Sequence, residues 1–349
     1  MGYLIVAISA GLLVAAKERD VLTAKATENK KATKSGKAPE AIDECRDRHK
    51  ECDSFVDANQ CDLMPGWMIM NCPVACGACH LRTVEARCVW ANMNMSADPV
   101  YAPGEMSMMF ESLIDRFEDR YTINVLSTSP YVVTFDDFLS NDEIRALTSE
   151  VKGWTRSTDS GKTNNVGASG AILSEGRTSS NAWCDTTCQT NQFIQSLYVK
   201  IEEIVGVPRS HYENFQILRY EVGEKYEAHH DYGDVDTSST GGPRILTFFL
   251  YLSDVDEGGE TQFPALGISI KPRKGRAVLW PSVLDRDFME RDGRTMHESR
   301  PVTKGRKFAA NTWIHSHDYS TASSWGCVGA GDLLDKNQVA TELRSGFFD

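Results

Sequence analysis

Two histidines, an aspartate and a lysine between positions 229 and 307 have types and spacings that suit metal chemistry. Side chains two residues apart on a β-strand project from the same face, so His229 and Asp231 project together while His230 projects the other way. A distant second histidine, for which His297 is the candidate, completes a two-histidine, one-carboxylate set that leaves coordination positions open on Fe(II). The sequence therefore predicts an Fe(II) site with room for a co-substrate and O2.

The lysine follows His297 by ten residues and indicates where the co-substrate binds. The intervening "PVTKG" ends at Gly305, which suits a turn, and the alternating "KFAANTWIH" indicates a strand. Lys307 can then lie near the metal without binding it, and a buried lysine needs an anionic partner. The distal carboxylate of 2-oxoglutarate would be that partner. Zinc also suits these ligands, but a zinc hydrolase has no need of such a buried cation.

Three longer segments, "YEAHHDY", "GGPRILTFFLYLSDVDEGGETQFP" and "HESRPVTKGRK", resemble the catalytic domain of prolyl 4-hydroxylases. The similarity runs from about Val125 to Asp318. The resemblance implies the iron and 2-oxoglutarate roles given above, and adds Tyr220 and Thr261 as contacts to 2-oxoglutarate. The residues that it implies on the substrate side are Tyr226, Arg244, Trp313 and His315.

The elements that must position these residues are mainly β. Residues 140–143, "SNDE", form a capping box that predicts a helix to about Val151. "NQFIQSLYVKIEEIV" has apolar residues at helical spacing and is followed by Gly206 and Pro208. From "FQILRY" to "NTWIH", short β-rich runs alternate with Gly and Pro. These features predict a double-stranded β-helix, or jelly roll, with flanking helices.

A loop-rich segment, residues 160–184, lies between the two predicted helices. Its "GRTSSNAW" resembles the segment that precedes a mobile, substrate-covering loop in prolyl 4-hydroxylases. A long glycine-rich loop is either disordered or a lid, and the resemblance favours a lid.

A small cysteine-rich module precedes this domain, with six cysteines in thirty-five residues. So small a unit cannot bury much core and needs covalent cross-links. In a secreted chain this density of cysteines implies three disulfides, but the spacing does not give their pairing. A zinc cluster on Cys72, Cys76 and Cys79 is the alternative. The order of the cysteines resembles the ShKT domain. That resemblance implies the pairs Cys45–Cys79, Cys52–Cys72 and Cys61–Cys76.

The module would either position the enzyme on a partner or block a channel, as toxin relatives do. Its attachment to an enzyme favours positioning. The pairing scheme leaves four further cysteines unassigned, namely Cys88, Cys184, Cys188 and Cys327.

The first sixteen residues form an apolar run too short to span a bilayer comfortably. We interpret them as a secretory signal peptide, with a retained membrane anchor as the alternative. The sequence thus predicts the secretory pathway, in the lumen of the endoplasmic reticulum or Golgi, membrane-anchored or secreted. Residues 94–96, "NMS", are a glycosylation sequon, which would lie at the surface.

The net charge of -12 argues against a nucleic-acid partner, since such binders concentrate positive charge. The predicted organisation is 1–16 signal peptide or anchor, 17–44 linker, 45–80 ShKT module, 81–124 connector, 125–318 dioxygenase domain and 319–349 tail.

Together these observations predict an Fe(II)- and 2-oxoglutarate-dependent dioxygenase that converts peptidyl proline to 4-hydroxyproline and releases succinate and CO2. The resemblance is to the plant and algal single-subunit enzymes, and it implies ascorbate as an accessory reductant and a proline-rich or collagen-like polypeptide as substrate. The alternatives are the same chemistry on a lysyl side chain or a small molecule, or an inert binding protein. Lys307 weighs against a lysyl substrate, because that group tends to use arginine as its carboxylate anchor.

Overall fold

The computed structural model describes residues 45–91, 98–149, 151–157, 175–233 and 240–328. All of them belong to one compact unit that begins at Cys45. The predicted signal segment and linker, the sequon at Asn94, and the part of the predicted lid from 160 to 174 lie outside the described residues.

The helices of the described residues are mostly short, and none of them is long and apolar enough to cross a membrane. They are α1 (Cys52–Asp57), α2 (Gln60–Leu63), α3 (Pro65–Asn71), α4 (Val84–Trp90), α5 (Glu105–Glu111), α6 (Leu113–Phe117), α7 (Asn141–Ser149), α8 (Thr186–Gln189), α9 (Gln192–Val205) and α10 (Tyr319–Ser324).

The strands all lie after the cysteine-rich module. They are β1 (Thr122–Thr128), β2 (Tyr131–Asp136), β3 (Thr155–Arg156), β4 (Ser180–Trp183), β5 (Gln216–Tyr220), β6 (Tyr226–His229), β7 (Arg244–Tyr251), β8 (Glu257–Gly258), β9 (Thr261–Phe263), β10 (Ile268–Ile270), β11 (Ala277–Pro281), β12 (Val283–Leu284), β13 (Asp287–Arg291), β14 (His297–Ser299), β15 (Val302–Lys304) and β16 (Lys307–His315).

Two antiparallel sheets face each other in this domain. The larger has the order β1-β2-β11-β7-β16-β5-β4-β3, and the smaller has the order β10-β9-β14-β6. Phe249 of the larger sheet and Phe263 of the smaller one share a buried cluster between the sheets. The predicted jelly roll with flanking helices is confirmed.

Strand β7 shows how the sequence produces the layers. Its alternate residues Phe248 and Leu250 belong to the core under the helices, whereas Phe249 and Tyr251 face the smaller sheet. Both faces are therefore apolar, as expected of a strand buried on two sides. Each such side chain contributes about 1.5–3 kcal/mol when it is fully buried.

The two predicted helices are confirmed as α7 and α9. In the capping box before α7, the Ser140 amide donates to Glu143 Oε2 at 2.8 Å and the Glu143 amide donates to Ser140 Oγ at 3.2 Å. Asn191 caps α9, which ends before Gly206 in the left-handed conformation. The predicted strand, turn and strand after His297 are also present, with Gly305 at φ 89° between β15 and β16.

The cysteine-rich module has the three disulfides that its resemblance implied, Cys45–Cys79, Cys52–Cys72 and Cys61–Cys76. The alternative of a zinc cluster is wrong, because its three cysteines are all in disulfides. Phe55 and Trp67 pack edge to face at 5.5 Å in the module's small core.

Two further disulfides use the cysteines left unassigned. Cys184 pairs with Cys188 over a separation of 4 residues, and Cys88 pairs with Cys327 over a separation of 239. No cysteine of the chain is free. The second of these bonds joins the region after the module to the end of the catalytic domain.

Non-reducing peptide mapping should find these five disulfides and no free thiol, and metal analysis should find no zinc. The physical reason is that all ten cysteines already have a partner within bonding distance. Free thiols at Cys88 and Cys327, or stoichiometric zinc, would contradict the pairing.

Candidate active site

The three predicted metal ligands lie together at one edge of the smaller sheet. His229 is the last residue of β6 and His297 the first of β14, and the two are direct partners in the antiparallel register. Asp231 lies two residues beyond the end of β6. Its carboxylate oxygens are 3.9 Å from His229 Nε2 and 3.6 Å from His297 Nε2. One ligand atom from each residue lies within 4.8 Å of the others.

His230 points away from this cluster, as the alternation of strand side chains predicted. Its Nε2 lies 2.9 Å from the Asp292 carbonyl oxygen, and the Tyr232 amide donates to its Nδ1 at 3.0 Å. His230 therefore joins loops on the other side of the strand.

Hydrogen bonds orient both imidazoles of the cluster. His229 Nδ1 donates to the Glu227 carbonyl at 2.9 Å, and His297 Nδ1 donates to the Thr295 carbonyl at 3.0 Å. The Nε2 lone pairs are consequently directed at the cluster, the arrangement expected of metal-binding histidines. Desolvation in the pocket lowers the pKa of His229 to about 3, which keeps its imidazole neutral.

The surroundings of Asp231 likewise favour the form that binds metal, here the charged carboxylate. Burial by itself raises the pKa of Asp231, but the neighbouring imidazoles and a hydrogen bond from Thr247 outweigh it and hold the pKa at about 2. The Thr247 hydroxyl donates to Oδ2 at 2.7 Å. A buried carboxylate and two imidazoles whose ligand atoms lie within 4.8 Å of one another fit Fe(II).

The cluster opens into a pocket between the two sheets. Four of the residues implied by the family resemblance line this pocket together with the cluster, namely Tyr220, Tyr226, Thr261 and Trp313. Lys307, Arg244 and His315 lie behind its walls. The lining also contains polar residues that the sequence analysis gave no role, among them Arg177, Gln216, Ser299 and Asn311.

Lys307 is fully buried behind the part of the pocket wall formed by Tyr220 and Ser299. Its ammonium group donates to the Gly259 carbonyl and to Ser299 Oγ, each at 2.8 Å, and lies 5.0 Å from the ring of Tyr220. Among the described residues no carboxylate lies at ion-pair distance from it. Burial lowers the pKa of Lys307 to about 7, and the charge of Glu260 only partly opposes this. An anionic ligand would compensate the buried charge.

Ser299 is a residue beside Lys307 that sequence reasoning missed. It lies two residues after His297, opposite Thr261 of β9, so it shares the face of the metal cluster. Tyr251 donates to Thr261 Oγ1 at 2.6 Å and fixes that hydroxyl. The two hydroxyls and Lys307 together can bind a carboxylate.

Two buried donors in the pocket have no hydrogen-bond partner among the described residues, Asn311 Nδ2 and Trp313 Nε1. Asn311 lies on β16 between Lys307 and Trp313, opposite Gln216. Buried polar groups are nearly always satisfied, so these donors indicate a polar ligand in the pocket.

Three of the predicted substrate-side residues, Arg244, Trp313 and His315, form a second group around Glu213. Arg244 lies over the ring of Trp313 at 3.8 Å and donates to Glu213, to which His315 Nε2 also donates at 3.0 Å. Burial by itself raises the pKa of Glu213. The charges and hydrogen bonds of Arg244 and His315 outweigh this effect and bring the pKa down to about 2. Tyr226 stacks on His229 at 3.5 Å. Sequence reasoning missed Glu213, which only the fold brings beside these residues.

Comparison with known proteins agrees with this geometry. The family model of the 2OG-Fe(II) oxygenase superfamily matches residues 215–315, and that of ShK domain-like proteins matches residues 44–79. Probable prolyl 4-hydroxylase 9 of Arabidopsis thaliana is 33% identical over 210 residues, which are 56% of this chain and 72% of that protein. The chain belongs to the prolyl 4-hydroxylase family.

Other relatives of this prolyl 4-hydroxylase family member come from animals and viruses. Prolyl 4-hydroxylase subunit alpha-1 of Gallus gallus is 32% identical over 192 residues, 53% of this chain and 36% of that one. The viral collagen prolyl hydroxylase vCPH of Paramecium Bursaria Chlorella virus-1, solved as a 2OG complex, is 26% identical with a TM-score of 0.41, covering 53% of this chain and 96% of that chain.

Replacing any ligand of the metal cluster with alanine should weaken Mn(II) binding, measured calorimetrically as a stand-in for iron, by more than about a hundredfold. His230→Ala is the matched control. It should keep metal affinity and lose only stability, by about 1–3 kcal/mol, because Asp292 and Tyr232 lose a hydrogen-bond partner. Loss of Mn(II) binding in His230→Ala but not in His229→Ala would contradict the site.

Lys307→Ala should weaken 2-oxoglutarate binding by about one to two decades, since a charge-assisted contact contributes about 1.5–3 kcal/mol. In the free protein the pKa of Lys307 is about 7, and a bound carboxylate raises it. Binding above that pH therefore takes up a proton. Affinity should be constant below about pH 7 and fall by up to about tenfold per pH unit above it.

Calorimetric titration of 2-oxoglutarate into the protein with Mn(II), repeated across this pH range, measures both the loss of affinity and its pH dependence. Lys307→Arg is the control for the pH dependence, because a guanidinium group stays charged throughout and the slope should vanish. Unchanged affinity in Lys307→Ala, or a flat profile in the parent protein, would remove Lys307 from the site.

Proposed function

We propose that this protein hydroxylates peptidyl proline at C4, using Fe(II), 2-oxoglutarate and O2. The observation that carries the proposal is a two-histidine, one-carboxylate cluster and a buried lysine at the same pocket, in a chain of the prolyl 4-hydroxylase family. Bound iron supplies the oxidising chemistry, in which 2-oxoglutarate is converted to succinate and CO2.

The chain's own residues bind and orient the reactants. His229, Asp231 and His297 hold the metal. Hydrogen bonds to neighbouring groups fix the Nδ1 atoms of the two histidines and Oδ2 of the aspartate. The side chains that bind 2-oxoglutarate are Lys307, Tyr220, Thr261 and Ser299.

Apolar walls keep water from this reaction. Phe249 and Trp280 line the pocket and belong to the buried cluster between the sheets, and Trp280 lies 4.9 Å from the ring of His297. Exclusion of water strengthens the interactions of Lys307 with a carboxylate and protects the oxidising chemistry from side reactions.

Aromatic surface on the substrate side supports a proline-rich or collagen-like polypeptide as the substrate. Tyr226 and Trp313 line the pocket, and the partly exposed Trp183 lies 6.2 Å from Trp313. Proline-rich chains are already extended as polyproline II, and they dock on aromatic surfaces with little further loss of entropy. The net charge of -12 favours neutral or basic peptides through steering that salt weakens.

The cellular setting and the reductant are parts of the same proposal. Five disulfides support folding in the oxidising lumen of the secretory pathway, since such bonds are rare in reducing compartments. Ascorbate as accessory reductant rests on the family resemblance alone.

Mass spectrometry after incubation with Fe(II), 2-oxoglutarate and ascorbate tests the function. A proline-rich peptide should gain about sixteen mass units per modified proline, because one oxygen atom is inserted. A lysine-bearing peptide without proline, free proline, and the His229→Ala variant serve as controls and should show no gain. Modification of only the lysine-bearing peptide or of free proline would overturn the prolyl assignment and leave the iron chemistry in place.

A further inference from the structure

Helix α10 lies between the cysteine-rich module and the substrate side of the site. On one side, α3 of the module packs against it. The approach is close at Gly66, where a Cβ atom would come within 2.8 Å of the Ser324 carbonyl oxygen. The module is therefore packed directly on the C-terminal end of the catalytic domain.

Arg87 and Cys88 fasten the segment that follows α10. The Arg87 side chain is 2% exposed and donates to the carbonyls of Trp325 and Gly326, each at 2.9 Å. The adjacent residue forms the disulfide Cys88–Cys327. A buried arginine and a covalent bond at neighbouring positions hold this segment much more firmly than a flexible tether would.

The other side of α10 contacts the substrate-side residues. The ring of Tyr319, the first residue of the helix, stacks on His315 at 4.3 Å with an interplanar angle of 19°. A Cβ atom on Gly241 would lie 3.2 Å from Tyr319, and Thr240 Oγ1 donates to the Cys327 carbonyl at 2.9 Å. The helix thus contacts both His315 and the loop before β7.

That loop leads directly to Arg244. His315 Nδ1 donates to the Gly242 carbonyl at 2.7 Å, and the Ser316 amide donates to the Pro243 carbonyl at 3.0 Å. The loop is consequently confined between the end of β16 and α10. A displacement of α10 would move the supports of Arg244 and His315 together.

Helix α10 cannot supply this rigidity alone. It has 6 residues, and its only side-chain cap is Asp318, which accepts from the Thr321 amide at 2.9 Å. Isolated helices of fewer than about twelve residues are marginal in water. Its stability must therefore come from packing, which it finds on the module, on the turn Arg209–His211 of the catalytic domain and on the segment fixed by Arg87 and Cys327.

We propose that the cysteine-rich module, by packing on α10, and the following helix α4, through Cys88–Cys327, hold Tyr319 against His315, and that Tyr319 is a positioning residue for the peptide substrate. This inference rests on the proposed function, because it assigns the module a part in peptide binding at that same site. It differs from the role expected from the sequence, in which a tethered module positions the whole enzyme on a partner.

The kinetic test compares Tyr319→Ala, Tyr319→Phe and a Cys88→Ser, Cys327→Ser double variant. An aromatic pair contributes about 0.5–1.5 kcal/mol, so Tyr319→Ala should raise the peptide KM by about three- to tenfold. The KM for 2-oxoglutarate and its peptide-independent turnover should not change. Tyr319→Phe keeps the stacked ring and should restore the peptide KM, and the double variant should resemble Tyr319→Ala.

Ser324→Ala, at an exposed position of the same helix, is the matched control and should match the parent protein in every measurement. An unchanged peptide KM in Tyr319→Ala overturns the inference. An equal fall in peptide hydroxylation and in the peptide-independent turnover of 2-oxoglutarate also overturns it, because that pattern indicates general loss of structure.

Hydrogen–deuterium exchange gives a readout that does not need activity. In the Cys88→Ser, Cys327→Ser variant and in Tyr319→Ala, amides of residues 240–244 and 315–319 should exchange faster, while the module's own three disulfides stay formed. Unchanged exchange in both variants overturns the inference. Absence of prolyl hydroxylation in the parent protein would instead overturn the proposed function, and the exchange result would still decide whether the module supports this loop.

Discussion

The antiparallel pairing of β6 with β14 is the constraint on which the site depends. It places His229 directly opposite His297, and the Asp231 carboxylate just beyond β6 lies beside both imidazoles. A slip of one residue would exchange His229 for His230, because neighbouring strand residues face opposite sides. The hydrogen bonds of His230 to the loop at Asp292 oppose that slip, so a histidine outside the site helps to select the one inside it.

The second constraint is the charge of Lys307. A fully buried ammonium group with hydroxyl and carbonyl partners is destabilising unless a negative charge joins it. The protein tolerates this cost in the free state, and the co-substrate's carboxylate would relieve it on binding. If Lys307 binds 2-oxoglutarate as proposed, part of the affinity for that ligand would derive from relief of this destabilisation, as is common where strain and function coincide.

Local patterns made the metal cluster and the jelly roll predictable. The His229-x-Asp231 pair and the turn at Gly305 depend only on alternation and on backbone preference, both of which act over a few residues. Glu213 could not be predicted in this way, since its role arises from folding beside Arg244. The partner of Cys88 was equally hidden, because no sequence pattern relates residues 239 positions apart.

The Cys88–Cys327 bond also makes the catalytic domain a covalent ring. A single cut in any loop between these residues would leave the two fragments joined, and only a reductant would release them. The same disulfide lowers the conformational entropy of the unfolded chain. For a loop of this length the chain-entropy model gives a stabilisation of the fold of about 5 kcal/mol. Such a ring would preserve the fold after a proteolytic nick that would separate the halves of a linear chain.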